Sequence, residues 1–129
     1  MEPYAFKGLD VWQRAMSLTL VIYRLAKQLP APERFGLASQ LRRAAALVPT
    51  NIADGSGRER GEFLRYLTRA RASLMEVESG VELCFRLDYL EKADLAEVNE
   101  LIEEVRRMLN SHMQRLSREI PLHHSLSRI

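Results

Sequence analysis

Residues 41–55 read LRRAAALVPTNIADG, an apolar helical run entered through paired arginines, carrying three successive alanines and crossed by a proline. Pro49 removes a backbone donor and crowds the preceding turn, so a lone helix would break there. The run needs neighbours to hold it together, and the alanines let their backbones approach closely. The question for the rest of the chain is whether it supplies helices that pack against this one.

It does. Val11, Ala15, Leu18, Ile22, Leu25 and Leu29 recur at alternating steps of four and three, with Trp12, Met16 and Tyr23 widening that stripe on one side. Pro30 and Pro32 end this helix, and Glu33 is expected in the first turn of the next, where an acid suits the positive dipole end. The second helix carries Leu37, Leu41, Ala44, Ala45, Val48 and Ile52, and Gly55 and Gly57 read as left-handed exits. A third helix from about Gly61 presents Phe63, Leu67, Ala70, Leu74, Val77, Val81 and Cys84. After residues 88–92 a fourth shows Leu95, Val98, Ile102, Val105, Leu109 and Leu116. Short connections force neighbouring helices antiparallel, so the expected fold is all-α, an up-down-up-down four-helix bundle. Valine and isoleucine fall at helical spacing and no hairpin signal separates alternating runs, which excludes a β-rich fold.

The chain has 129 residues, one domain's worth and enough for a real core. Residues 1–120 read as the bundle domain and residues 121–129, with Pro121, His123 and His124, as a flexible tail or an arm used in assembly. Apolar stretches are broken well before membrane-spanning length, and the first ten residues lack a signal-peptide pattern. The expectation is a cytoplasmic protein with no membrane partner.

Catalytic, cofactor and metal-ligating residues are expected to be none. Cys84, the single cysteine, sits among apolar residues as a packed, inert thiol. His112, His123 and His124 belong to no HExxH or Glu-x-x-His pattern. Gly55-Ser56-Gly57 lacks the upstream strand and lysine of a phosphate loop, and Ser56 has no partnered base.

Charge is more informative. Through residue 60 the chain holds nine basic and five acidic residues, and afterwards ten and twelve, so the net charge of +2 hides a separation. Antiparallel folding brings Arg58, Arg60, Arg65, Arg69 and Arg71 to the same end as Arg106, Arg107, Arg115 and Arg118, a candidate surface for nucleic-acid phosphate. The other end collects acids. In the third helix this gradient opposes the dipole, so pairing across helices or a partner must offset it. No aromatic interleaving is evident that would read bases. Counting back from the 55–60 connection sets Arg42 and Arg43 beside Glu76 and Glu78, a candidate set of structural ion pairs, with a phosphate or protein contact as the alternative. Pro49 and Asn51 mark a helix kink, where the amide is expected to satisfy a backbone group that the proline releases. Trp12 and Tyr23 offer themselves as protein anchors or as core.

Taken together, Val11-Trp12-Gln13, Leu29-Pro30, Gln40-Leu41-Arg42-Arg43-Ala44-Ala45, Pro49-x-Asn51-Ile52-Ala53 before Gly55, Glu62-Phe63 and Ser73-Leu74-x-Glu76-Val77-Glu78 resemble the four-helix-bundle proteins encoded by intervening sequences in bacterial 23S ribosomal RNA genes. The resemblance spans roughly residues 6–118. It implies a non-enzymatic bundle that assembles with itself, characteristically as a homopentamer. It also implies kinship with accessory proteins of diversity-generating retroelements, which bind RNA or DNA and a reverse-transcriptase polymerase. Asp54 stands where the family pattern has glutamate, and residues 58–61 lack the hydroxyl residue expected to cap the third helix. Two expectations result: a self-associating bundle, or a nucleic-acid-binding accessory that positions a polymerase.

Overall fold

A computed structural model of the chain describes residues 5–119. After a short 3-10 turn, Ala5–Gly8, come α1 (Asp10–Ala26), a second 3-10 turn (Ala31–Glu33), α2 (Leu37–Ser56), α3 (Arg60–Arg86) and α4 (Lys92–Glu119). No strand occurs among the described residues. Each helix packs on the next and α4 returns to α1, while the diagonal pairs α1/α3 and α2/α4 make no close backbone approach. The result is a square up-down-up-down bundle, as the periodicity predicts. Its interior is the predicted stripes meeting: Leu18 and Ile22, Val48 and Ile52, Leu67, Leu74 and Val77, and Ile102 and Leu109 are fully buried. The expected tail, residues 121–129, lies outside the described residues.

α2 is continuous through Pro49. In a helix the N–H at position 49 would serve the carbonyl of Ala45; proline has none, so that carbonyl needs another donor. Thr19 of α1 supplies it, its hydroxyl lying 3.0 Å from the Ala45 oxygen and 2.9 Å from that of Ala15. The Ala15 oxygen already has its helical partner, so the single hydroxyl proton matters most at Ala45. Asn51 was expected to do this work; its amide instead donates to the Leu47 carbonyl at 2.8 Å.

The glycines are used differently from the expectation. No glycine among the described residues has positive φ. Gly55 lies inside α2, where an added Cβ would stand 2.6 Å from the Tyr66 Cβ and 2.9 Å from Phe63 Cδ1, so it serves close approach of α2 and α3. The left-handed exit belongs to Asp88 after α3, at φ 64°, with Tyr89 N–H donating to the Cys84 carbonyl and Asp88 N–H to that of Phe85. This is the double bond pattern that closes a helix through a left-handed residue, here an aspartate, which tolerates that conformation.

Caps also depart from expectation. Glu33 precedes α2 rather than lying in its first turn; its carboxylate accepts from Leu37 N–H at 3.4 Å and from the Tyr89 hydroxyl at 3.0 Å, tying the start of α2 to the α3–α4 turn. α3 is capped without a hydroxyl residue, because the Glu59 carboxylate accepts from Glu62 N–H at 2.8 Å. A carboxylate at that position also suits the helix dipole.

Candidate functional site

The start of α1, the end of α2, the start of α3 and the end of α4 meet at one end of the square, which gathers most of the arginines singled out above. α3 brings Arg60, Arg65 and Arg69, the α2–α3 link brings Arg58, and α4 brings Arg107, Arg115 and Arg118. Several are already engaged. Arg60 pairs with Glu119 at 3.1 Å and Arg65 with Glu62 at 3.6 Å. Arg58 donates through Nε to the Asp54 carbonyl at 2.8 Å.

Arg71 and Arg106 lie further along the bundle. Arg71 donates to the Asn110 side-chain oxygen at 3.0 Å. Arg106 is held between Glu78 and Glu103, and its bond to Glu78 raises its pKa against partial burial. Both belong to the α3–α4 seam rather than to the end. Arg107, Arg115 and Arg118 have no carboxylate partner among the described residues.

One feature of this end was missed from sequence. The guanidinium carbons of Arg58 and Arg69 stand 4.6 and 4.7 Å from the centre of the Tyr66 ring. The Tyr66–Arg69 half follows from helical spacing, three residues apart; the Arg58 half needs the turn between α2 and α3. Beside it, a groove of about 490 Å³ runs between Leu9 and Asp10 of the α1 entry and Arg107, His112 and Arg115 of α4. His112 meets Phe63 edge to face at 5.1 Å. Burial lowers its pKa, Arg115 pushes the same way, and Glu119 opposes them.

The expected pairing of Arg42 and Arg43 with Glu76 and Glu78 is not what the structure has. Arg42 reaches the Arg34 carbonyl at 3.4 Å, and Glu78 is taken by Arg106. Arg43 and Glu76 line the same α2–α3 groove, about 490 Å³, but form no ion pair. The reason is helical geometry: residues two apart are about 200° apart around α3, so Glu76 and Glu78 cannot both face α2.

Cys84 is fully buried, its thiol pushed up to about 11 by desolvation and by Glu33. Trp12 is half-buried against the core, edge-on to Phe6 at 5.3 Å, whereas Tyr23 is exposed. Among the described residues no three His, Cys, Asp or Glu side chains are grouped as metal ligands, and no helix is long and apolar enough to cross a membrane. Large apolar side chains do face outward: Phe35 is 87% exposed, Leu20 68% and Met75 61%, with Leu83, Leu87 and Tyr23 also exposed.

Comparison with known proteins places this architecture. The sequence pattern of the family described as 23S rRNA-intervening sequence protein matches residues 7–111. Among solved structures, a protein of unknown function from the S23 ribosomal protein family of Bacteroides thetaiotaomicron shares the fold. The TM-score is 0.74 at 23% identity, over 81% of this chain and 95% of that one. No curated protein matches significantly.

Proposed function

This chain belongs to the 23S rRNA-intervening sequence protein family, and from that premise we propose that it acts as a non-enzymatic helical bundle whose working form is a ring of its own copies. The observation that carries the proposal is the outward apolar side chains of Leu20, Met75 and Leu83, which one protomer leaves in water. The resemblance to the ribosomal intervening-sequence proteins supplies the stoichiometry, a homopentamer. Light scattering coupled to size exclusion tests it: a mass near five chains supports the ring, and a monomer at every concentration overturns it.

A second reading has its own observation. Arg107, Arg115 and Arg118 have no carboxylate partner among the described residues and share an end with the Arg58–Tyr66–Arg69 stack. In a ring, symmetry repeats these cations around one rim, a surface suited to RNA or DNA phosphate and to the accessory role beside a reverse transcriptase that the resemblance implies. Retention of RNA or DNA that falls steeply with added salt supports this reading; retention by an R107A/R115A/R118A variant equal to that of the parent overturns it.

A further inference from the structure

We propose that the groove between the end of α1 and the start of α2 binds a free nucleoside polyphosphate, its phosphates held by Lys27, Arg34 and Arg42 and its base laid on Tyr23. The site lies at the end of the bundle opposite the arginine-rich one and rests on neither reading above.

The charge behind it is already present in the sequence. Residues 11–53, which span most of α1 and α2, hold six basic residues and a single acid, Glu33. Arg14 and Arg24 are taken by Glu104 and Glu97 of α4, and Arg43 lines the α2–α3 groove. Lys27, Arg34 and Arg42 have no carboxylate partner among the described residues, and all three line one groove of about 580 Å³. Glu33 stands outside that lining, its carboxylate engaged by Leu37 N–H and the Tyr89 hydroxyl.

The fold builds the groove from both sides. Tyr23 and Lys27 are one turn apart on α1, and Ala38 and Arg42 one turn apart on α2, so each helix presents one wall. Ala26, Leu29 and Ala38 are buried at its floor, where the two alanines leave the space open. Pro30 and Pro32 restrict the backbone that joins the walls, so the groove is shaped before any ligand arrives. Two of the cations are also held locally. Arg42 is partly buried and donates to the Arg34 carbonyl at 3.4 Å, and the Arg34 guanidinium carbon stands 5.3 Å from the centre of the Phe35 ring.

Electrostatics and shape then select the ligand. Lys27 suits the negative end of α1, but Arg34 and Arg42 stand by the positive end of α2, a helix with no acid in its first turn. Their charge adds to the dipole instead of opposing it, and an anion in the groove relieves both. Three cations around one small groove match the clustered charge of a di- or triphosphate, whereas a nucleic-acid strand brings its phosphates singly. Beside them the Tyr23 ring is 43% exposed and its hydroxyl has no partner among the described residues, which leaves an aromatic face for a base to stack on. The groove's size is that of small-molecule sites.

The test is calorimetric titration of the full chain with ATP, free of divalent cations. The parent should bind it. R34A/R42A should lose more than about tenfold in affinity while melting no lower than the parent, since the variant removes like charges from the surface. Y23A should lose roughly fivefold for ATP and nothing for inorganic tripolyphosphate, which has no base to stack. A parent that binds no ATP overturns the proposal, as does tripolyphosphate binding as tightly as ATP. Loss of ATP binding in R107A/R115A/R118A with retention in R34A/R42A would move the anion to the other end and overturn it too. So would a short single-stranded oligothymidylate that displaces ATP at concentrations far below those at which ATP itself binds, because the groove would then belong to a strand.

Discussion

α2 and α4 hold their places in the same square by different means. Among the described residues, the ion pairs that join two helices each have one partner on α4: Arg14–Glu104, Arg24–Glu97, Arg60–Glu119 and Arg106–Glu78. α2 makes none with the described residues, and its charged residues Arg42, Arg43 and Asp54 lie towards its two ends. Instead it sits close to its neighbours through Ala44, Ala45 and Gly55 and relies on one hydroxyl from α1. Close backbone approach and a buried polar contact are sensitive to single atoms, whereas solvated ion pairs are not. Mutational sensitivity should therefore concentrate on α2.

The largest effect is expected at Gly55. Gly55→Ala sets a methyl 2.6 Å from the Tyr66 Cβ, next to the α3 backbone, so the helices must separate. Overpacking of this kind costs up to about 3 kcal/mol, and the helix propensity of alanine returns about 1, leaving a net loss of about 2 kcal/mol in denaturant melts. Gly80→Ala is the control. Its new methyl meets the tip of Leu41, Cδ2 at 2.7 Å, which can rotate away, so this variant should stay within about 0.5 kcal/mol of the parent. Equal losses at both sites would show that close approach at Gly55 is not special.

Next comes Thr19. Thr19→Val keeps the shape and removes the donor to the Ala45 carbonyl, at a cost of about 1–2 kcal/mol. In a Pro49→Ala background the restored N–H serves Ala45, and the same substitution should cost clearly less. A double-mutant cycle with no coupling would mean that the hydroxyl is not replacing the missing helical donor.

This pair shows where sequence reading stops. The four apolar stripes each lie on one chain segment, and their period gave the helices, their order and nearly the whole core. Pro49 is visible as a problem, but its solution comes from Thr19, twenty-six residues from the Ala45 carbonyl that it serves, and nothing local distinguishes that threonine from a surface one. The same limit explains the site. That arginines gather at one end follows from antiparallel order alone, but which of them are neutralised depends on a rotation of about 100° per residue. That rotation gives Glu78 to Arg106 and leaves Arg43 and Glu76 in one groove unjoined. In sequence, glycine reads as a turn residue because that is its commonest use; at Gly55 it marks contact instead, and an aspartate makes the turn.

A smaller effect concerns pH at the arginine-rich end. Burial depresses the folded-state pKa of His112, so below the unfolded value of about 6.5 the unfolded chain binds more protons there than the folded one. Stability from this site is fully present above that value and declines as pH falls towards the folded pKa. The parent should lose more melting temperature than His112→Asn between about pH 7 and pH 5.5. The tail histidines are common to both chains, so the difference isolates His112. Parallel pH profiles would remove His112 from the account.

The smallest effect belongs to the α1–α4 seam and completes the contrast. Arg24 and Glu97 pair across it, but both side chains are more than half exposed. Water screens such a pair, and holding two long side chains in one geometry costs entropy that cancels much of the attraction. A cycle of Arg24→Ala, Glu97→Ala and the double variant should give a coupling of about 0.5 kcal/mol or less, and moderate salt should reduce it further. Beneath the pair, Leu18 and Ile22 of α1 and Ile102 and Val105 of α4 are all buried in one shared apolar core, so the ion pair decorates a seam that apolar packing closes. A coupling above about 1 kcal/mol that survives salt would reverse this assignment: α4 would then be held electrostatically, and the distinction from α2 would be one of chemistry but not of sensitivity.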